Sequence, residues 1–162
     1  MNDILAKISS YNLFNSLVPG AILAGLLGSL DIYHFESTSV VADLVVYYFL
    51  GMIVSRVGSV IIDPLLKLLR IVPPRNYGGF IEASAKDEKI LILLETGNMY
   101  RTVFAVLLLV VAAYNLRTVG TALPSPAIAI NIGLLVLAAL FLVSYLKQNR
   151  YISKRVEHHK GG

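Results

Sequence analysis

Arg56 places a full charge inside Val40 to Ile62, VVADLVVYYFLGMIVSRVGSVII, a stretch otherwise apolar enough to cross a bilayer. A charge at that depth is expensive, so it faces a cavity, a partner or the interface. Two readings of Arg56 stay open. It snorkels its guanidinium to the headgroups, or it faces a bundle interior, pairing with Asp63 about two turns on or lining a conduit. Asn131 is the only strongly polar group of the last apolar run and completes the set of candidate intramembrane polar residues. A second set suits an anionic ligand. Arg70, Arg75, Lys86 and Lys89 supply cations, joined by Arg150, Lys154 and Arg155 of the tail. Tyr77 adds a ring, Asn76 an amide and Gly78-Gly79 a permissive backbone, the combination that phosphate contact and base stacking on a single strand require. The competing reading is topological, since loops on the cytosolic side are basic and attract anionic lipid. Catalysis finds no support: there is no cysteine, no His-x-x-x-His pair and no Ser/His/Asp set, so no metal, cofactor or catalytic residue is assigned.

The elements that must position these residues are membrane helices. The chain has 162 residues, is 56% hydrophobic and carries only 15% charged residues, against about 25% in a soluble domain. Its mean hydropathy is +0.71. This predicts an all-α polytopic membrane protein with four transmembrane helices as two hairpins and a small helical cytosolic part. Residues 1–62 hold an interfacial helix and the first hairpin, 63–98 an amphipathic helical connection, 99–146 the second hairpin, and 147–162 a basic tail.

Within that plan the first span runs from about Leu13 to Tyr33, with Pro19 one turn inside. Gly20, Ala24 and Gly28 form a small-residue stripe matched by Gly51, Ser55 and Ser59, so the first two spans are expected to pack closely; Ala129 with Gly133 offers another such pair. Pro64 predicts a break or bend, Ser84-Ala85-Lys86-Asp87 a helix start, and Gly97 a stop. The third span, almost purely apolar from Thr102 to Ala113, reads as lipid-facing or filler. The basic tail, with cations at three- and four-residue spacing, continues the fourth span as a helix.

Twelve of the 14 lysines and arginines fall on one side of this layout, which puts both termini in the cytosol. A small multidrug exporter is disfavoured, because the first span has no acidic residue before Asp31. Two classes remain: an oligomeric channel or membrane-disrupting effector with an anionic cytosolic ligand, and an anchor or sensor that docks a soluble partner. Tyr-Asn-Leu-Phe-Asn at Tyr11 to Asn15, followed by Pro19-Gly20, together with the four-span plan and basic cytosolic segments, resembles small membrane subunits of bacterial anti-phage systems. The nearest is the Hailong channel subunit, with the Kiwa membrane subunit second. That resemblance implies a tetrameric ion channel controlled by single-stranded DNA made by a partner nucleotidyltransferase. It carries no ligand residue over to this chain.

Overall fold

A computed structural model describes residues 2–35, 39–72, 77–117 and 125–160, with side chains from Leu13 on except those of Tyr77, Ser125 and Lys160. The described chain is helical, with no strand: α1 (Asn2–Ser29), α2 (Val40–Val57), α3 (Asp63–Leu68), α4 (Tyr77–Lys86), α5 (Lys89–Arg117) and α6 (Ser125–Lys160). Three helical columns are long and apolar enough to cross a membrane: Val40–Leu68, α5, and Pro126–His159 of α6. The apolar part of α1, Leu13–Ser29, falls short of that length. Its expected extension to Tyr33 ends early, because Asp31 takes a left-handed backbone (φ 53°). Asp31 N–H then bonds the Gly28 carbonyl and Ile32 N–H the Leu27 carbonyl, the closing pattern of a Schellman turn.

Three sequence expectations shift. Pro64 does not break the second column. A π turn at Gly58–Ile62, closed by Asp63 N–H on the Gly58 carbonyl, lets the helix slip register just where the proline lacks a donor, and α3 follows directly. Ser84 does not start a helix. It lies within α4 and bonds back to the Ile81 carbonyl, while Asp87 caps α5, its Oδ1 accepting from Lys89 N–H at 3.0 Å. Gly97 stops nothing: it is buried inside α5, where it faces the Gln148 side chain of α6.

Cross-contacts set the order of the bundle. The Asn15 amide donates to Glu95 at one end, while Arg117 Nη1 donates to the Leu30 and Asp31 carbonyls at the other, so α1 and α5 run parallel. Asn115 with Asn131, and Gln148 with Leu93, make α5 and α6 antiparallel. Gly20 lies against Tyr47 and Gly51 against Ser16, so α1 and α2 are antiparallel as well, with backbones touching at the expected glycines. Helix α5 is the axis. Val103, Ala105, Val106, Leu107 and Val110 are buried among Leu23, Val54, Leu134 and Ala138. The run expected to face lipid or fill space is therefore filler. The second small pair does not mature into a contact: Ala129 is exposed, and a side chain on Gly133 would meet nothing within 4 Å. Beyond the apolar layer, Ala83 of α4 and Ile90 at the start of α5 pack with Ile152 and Val156 of α6, so the basic tail does continue α6 as a helix.

Candidate functional site

A polar cavity of about 360 Å³ opens between α1, α2 and α5 at one end of the apolar layer. Its wall on the second column is Tyr48, Met52, Ser55 and Arg56 of α2 with Ser59 of the π turn, residues at helical three- and four-residue spacing. Glu95, Asn98, Arg101 and Thr102 repeat that spacing on α5, and Asn15 and Ser16 close the α1 side. Arg56 is exposed at the wall and makes no ion pair among the described residues. Arg101 is drawn further in. Its Nε is buried and has no hydrogen-bond partner among the described residues. Glu95 Oε2 accepts from Asn15 Nδ2 at 2.8 Å. Two guanidinium groups and one carboxylate leave the wall with a net positive charge, suited to an anion.

Ser59 Oγ bonds the Arg56 carbonyl and Thr102 Oγ1 the Asn98 carbonyl, so both hydroxyl protons are committed to backbone while their lone pairs remain. Donors toward a guest come chiefly from the arginines.

The predicted intramembrane polar residues separate. Asp63 does not pair with Arg56. Its carboxylate takes Lys67 Nζ at 2.6 Å and the Tyr145 hydroxyl at 2.6 Å, which binds α3 to α6. Position decides this: Lys67 is one helical turn from Asp63, whereas Arg56 turns to the cavity. Asn131 lies at the far end of α6, exchanging amide hydrogen bonds with Asn115 at 2.9 and 3.2 Å. Along α5 that pair stands about 20 Å from Arg101, fourteen residues at the helical rise.

Of the predicted anion set, Arg75 and Asn76 lie outside the described residues, as does the side chain of Tyr77, whose backbone opens α4. Gly78 and Gly79 are helical, so they supply no open loop. Arg70 is exposed on the turn after α3 with φ 56°. Lys86 pairs with Glu82 at 3.0 Å, Lys89 starts α5, and Arg155 bonds Asp87 at 2.5 Å, with His159 at 3.6 Å from the same carboxylate. Arg150 and Lys154 are exposed on α6. Of these cations only Arg155 brings its charge onto Asp87; Lys86 is held by Glu82, and Lys89 gives Asp87 its backbone N–H. The lowered Asp87 pKa records that environment. Partial burial pushes it up, but the hydrogen bonds from Arg155 and Lys89 N–H, the Arg155 charge and the His159 contact outweigh this and hold the carboxyl below the usual range.

Arg101, Glu95, Asn98 and Asn15 are the site residues that reading the sequence missed. Arg101 is one of the twelve cations on the basic side of the layout, and Glu95 enters neither candidate set. The signal available was periodicity, because Glu95, Asn98 and Thr102 with Arg101 fall on one helical face just before the apolar run. No group of three or more potential metal ligands occurs among the described residues. The chain matches no family model, no curated protein and no solved structure.

Proposed function

We propose that the chain is the membrane subunit of a homo-oligomeric ion channel that crosses a bacterial inner membrane four times, keeps both termini in the cytosol, and responds to an anionic ligand at its basic end. The observation that carries this reading is the cavity with Arg56 and Arg101 cut into an otherwise apolar bundle. Intramembrane cations are retained at a cost and mark ion or ligand pathways. Within one chain the bundle axis is packed solid by α5, so a permeation path would run between copies, with Arg56 on its wall. Exposed apolar faces on α2 and α6 offer surface for neighbouring copies and lipid. For the fourth crossing, Leu13–Ser29 gives about 26 Å of helix against a hydrocarbon core of about 30 Å, a mismatch that flanking residues and local thinning accommodate. The contacts of α1 with α5 reach from Asn15 to Leu30, which supports a helix crossing the same layer. The test is electrical. Purified protein in planar bilayers is expected to conduct, and Arg56→Ala to shift the permeability ratio several-fold toward cations by removing a ring of positive charge. A folded, reconstituted protein that stays silent with and without single-stranded DNA would leave the anchor for a soluble partner as the better reading.

A further inference from the structure

We propose that the cavity is a phospholipid headgroup site, in which Arg56 and Arg101 hold the phosphodiester while the acyl chains lie along the exposed apolar face of α2. Four observations converge on that occupant. The first is the unsatisfied Arg101 Nε, buried and without a partner among the described residues. A buried donor in this state is costly unless an acceptor arrives, and guanidinium N–H groups match phosphate oxygens in charge and geometry.

The second is charge. Glu95 already accepts from Asn15, and one carboxylate against two guanidinium groups leaves a single net positive charge, the complement of one monoanionic phosphodiester. The third is depth. On α5 the cavity residues Glu95 to Thr102 immediately precede the buried apolar run, and on α1 Asn15 and Ser16 stand near the start of the apolar segment that begins at Leu13. Such a position is where the polar layer of a bilayer meets its hydrocarbon.

The fourth is the stripe around Arg56. Phe49, Ile53, Arg56 and Val60 are all exposed and follow one another at four, three and four residues, so the cavity arginine sits within an exposed apolar line along which acyl chains can lie. A soluble phosphate would use the arginines but gain nothing from that line, which is why a lipid is favoured over a free anion. The volume, about 360 Å³, is near the lower end of the roughly 300–1,000 Å³ typical of small-molecule sites and accommodates a headgroup. The proposal concerns what fills the cavity and stands whether or not the assembly conducts, so a silent bilayer and a protein that binds no lipid are separate failures.

Native mass spectrometry of the full chain in detergent, titrated with phosphatidylglycerol, diacylglycerol or inorganic phosphate, tests it. The parent is expected to retain one phosphatidylglycerol per chain and to ignore diacylglycerol. Arg56→Gln and Arg101→Gln should each weaken retention about tenfold, with Arg56→Lys recovering most of it. Lys147→Gln, the same loss of charge on an exposed α6 residue, should bind as the parent does. Thermal melts identify any variant that fails to fold, and the Arg56 pair carries the test if Arg101→Gln does. Equal retention in parent and folded Arg→Gln variants, or diacylglycerol held as well as phosphatidylglycerol, would overturn the proposal. Release of the lipid by inorganic phosphate alone would do so too, by assigning the site to a soluble anion.

Discussion

Asp87 shows how a single side chain joins two helices at the end of the bundle. It caps α5 through Lys89 N–H, receives Arg155 from α6 and lies beside His159. Because its folded pKa is depressed, its contribution to stability is fully present above the ordinary carboxylate value of about 3.9 and is lost as pH falls through the lower folded value. Melting in detergent from pH 7 down to pH 3 should show Asp87→Asn less stable than the parent at neutral pH, with the gap narrowing at the acid end; a gap independent of pH would mean the carboxylate charge is irrelevant. Asn131 makes a different kind of residue-scale claim. Its amide is matched by Asn115, so Asn131→Leu removes both bonds between the two amides and should cost about 1 kcal/mol. The double change Asn115→Leu with Asn131→Leu should cost less than the sum of the singles, which chemical denaturation can measure.

At the scale of elements, α1 and α2 approach most closely at two glycines of the small-residue stripes. A Cβ on Gly20 would overlap the Tyr47 carbonyl, and one on Gly51 the Ser16 carbonyl, both rigid backbone. Gly20→Ala and Gly51→Ala should therefore force the helices apart, at about 1–3 kcal/mol each by the usual cost of overpacking. Gly25→Ala and Gly133→Ala meet nothing within 4 Å and should melt with the parent or above it, since alanine is the better helix former. If all four variants melt alike, the α1–α2 crossing is not as close as described. The second column follows the same logic of local compensation. A proline would interrupt it, but the π turn at Gly58–Ile62 supplies the slip that keeps the column continuous to Leu68.

For the whole molecule, the parallel and antiparallel contacts put Asn15, Glu95, Gln148 and Asp87 toward one end and Leu30, Arg117, Asn115 and Asn131 toward the other. With cations crowded toward the first end, it is expected to face the cytosol. Single cysteines in this cysteine-free chain provide the check: position 34 should react with an impermeant thiol reagent from outside intact cells, and position 150 only after lysis. Labelling of position 150 from outside would invert the proposed topology.

Membrane character and an all-helical fold were legible in the residues themselves, because long apolar runs leave a backbone in lipid little choice but to satisfy its hydrogen bonds within each helix. The helical tail and the close approach at Gly20 and Gly51 were legible for a similarly local reason, spacing on a single helix face. Which apolar helix becomes the axis was not legible: Thr102 to Ala113 has the same composition whether it meets lipid or protein, and only packing made the apolar stretch of α5 more buried than those of the other two columns. The cavity was hidden for the same kind of reason. Arg56, Arg101, Glu95 and Asn15 come from three helices, and each alone has an ordinary explanation as a snorkelling cation, a loop charge, a solvated acid or a terminal amide. Their meeting is set by the crossing of α1 and α2 and the register of α5 between them, distances through space that no one helix encodes.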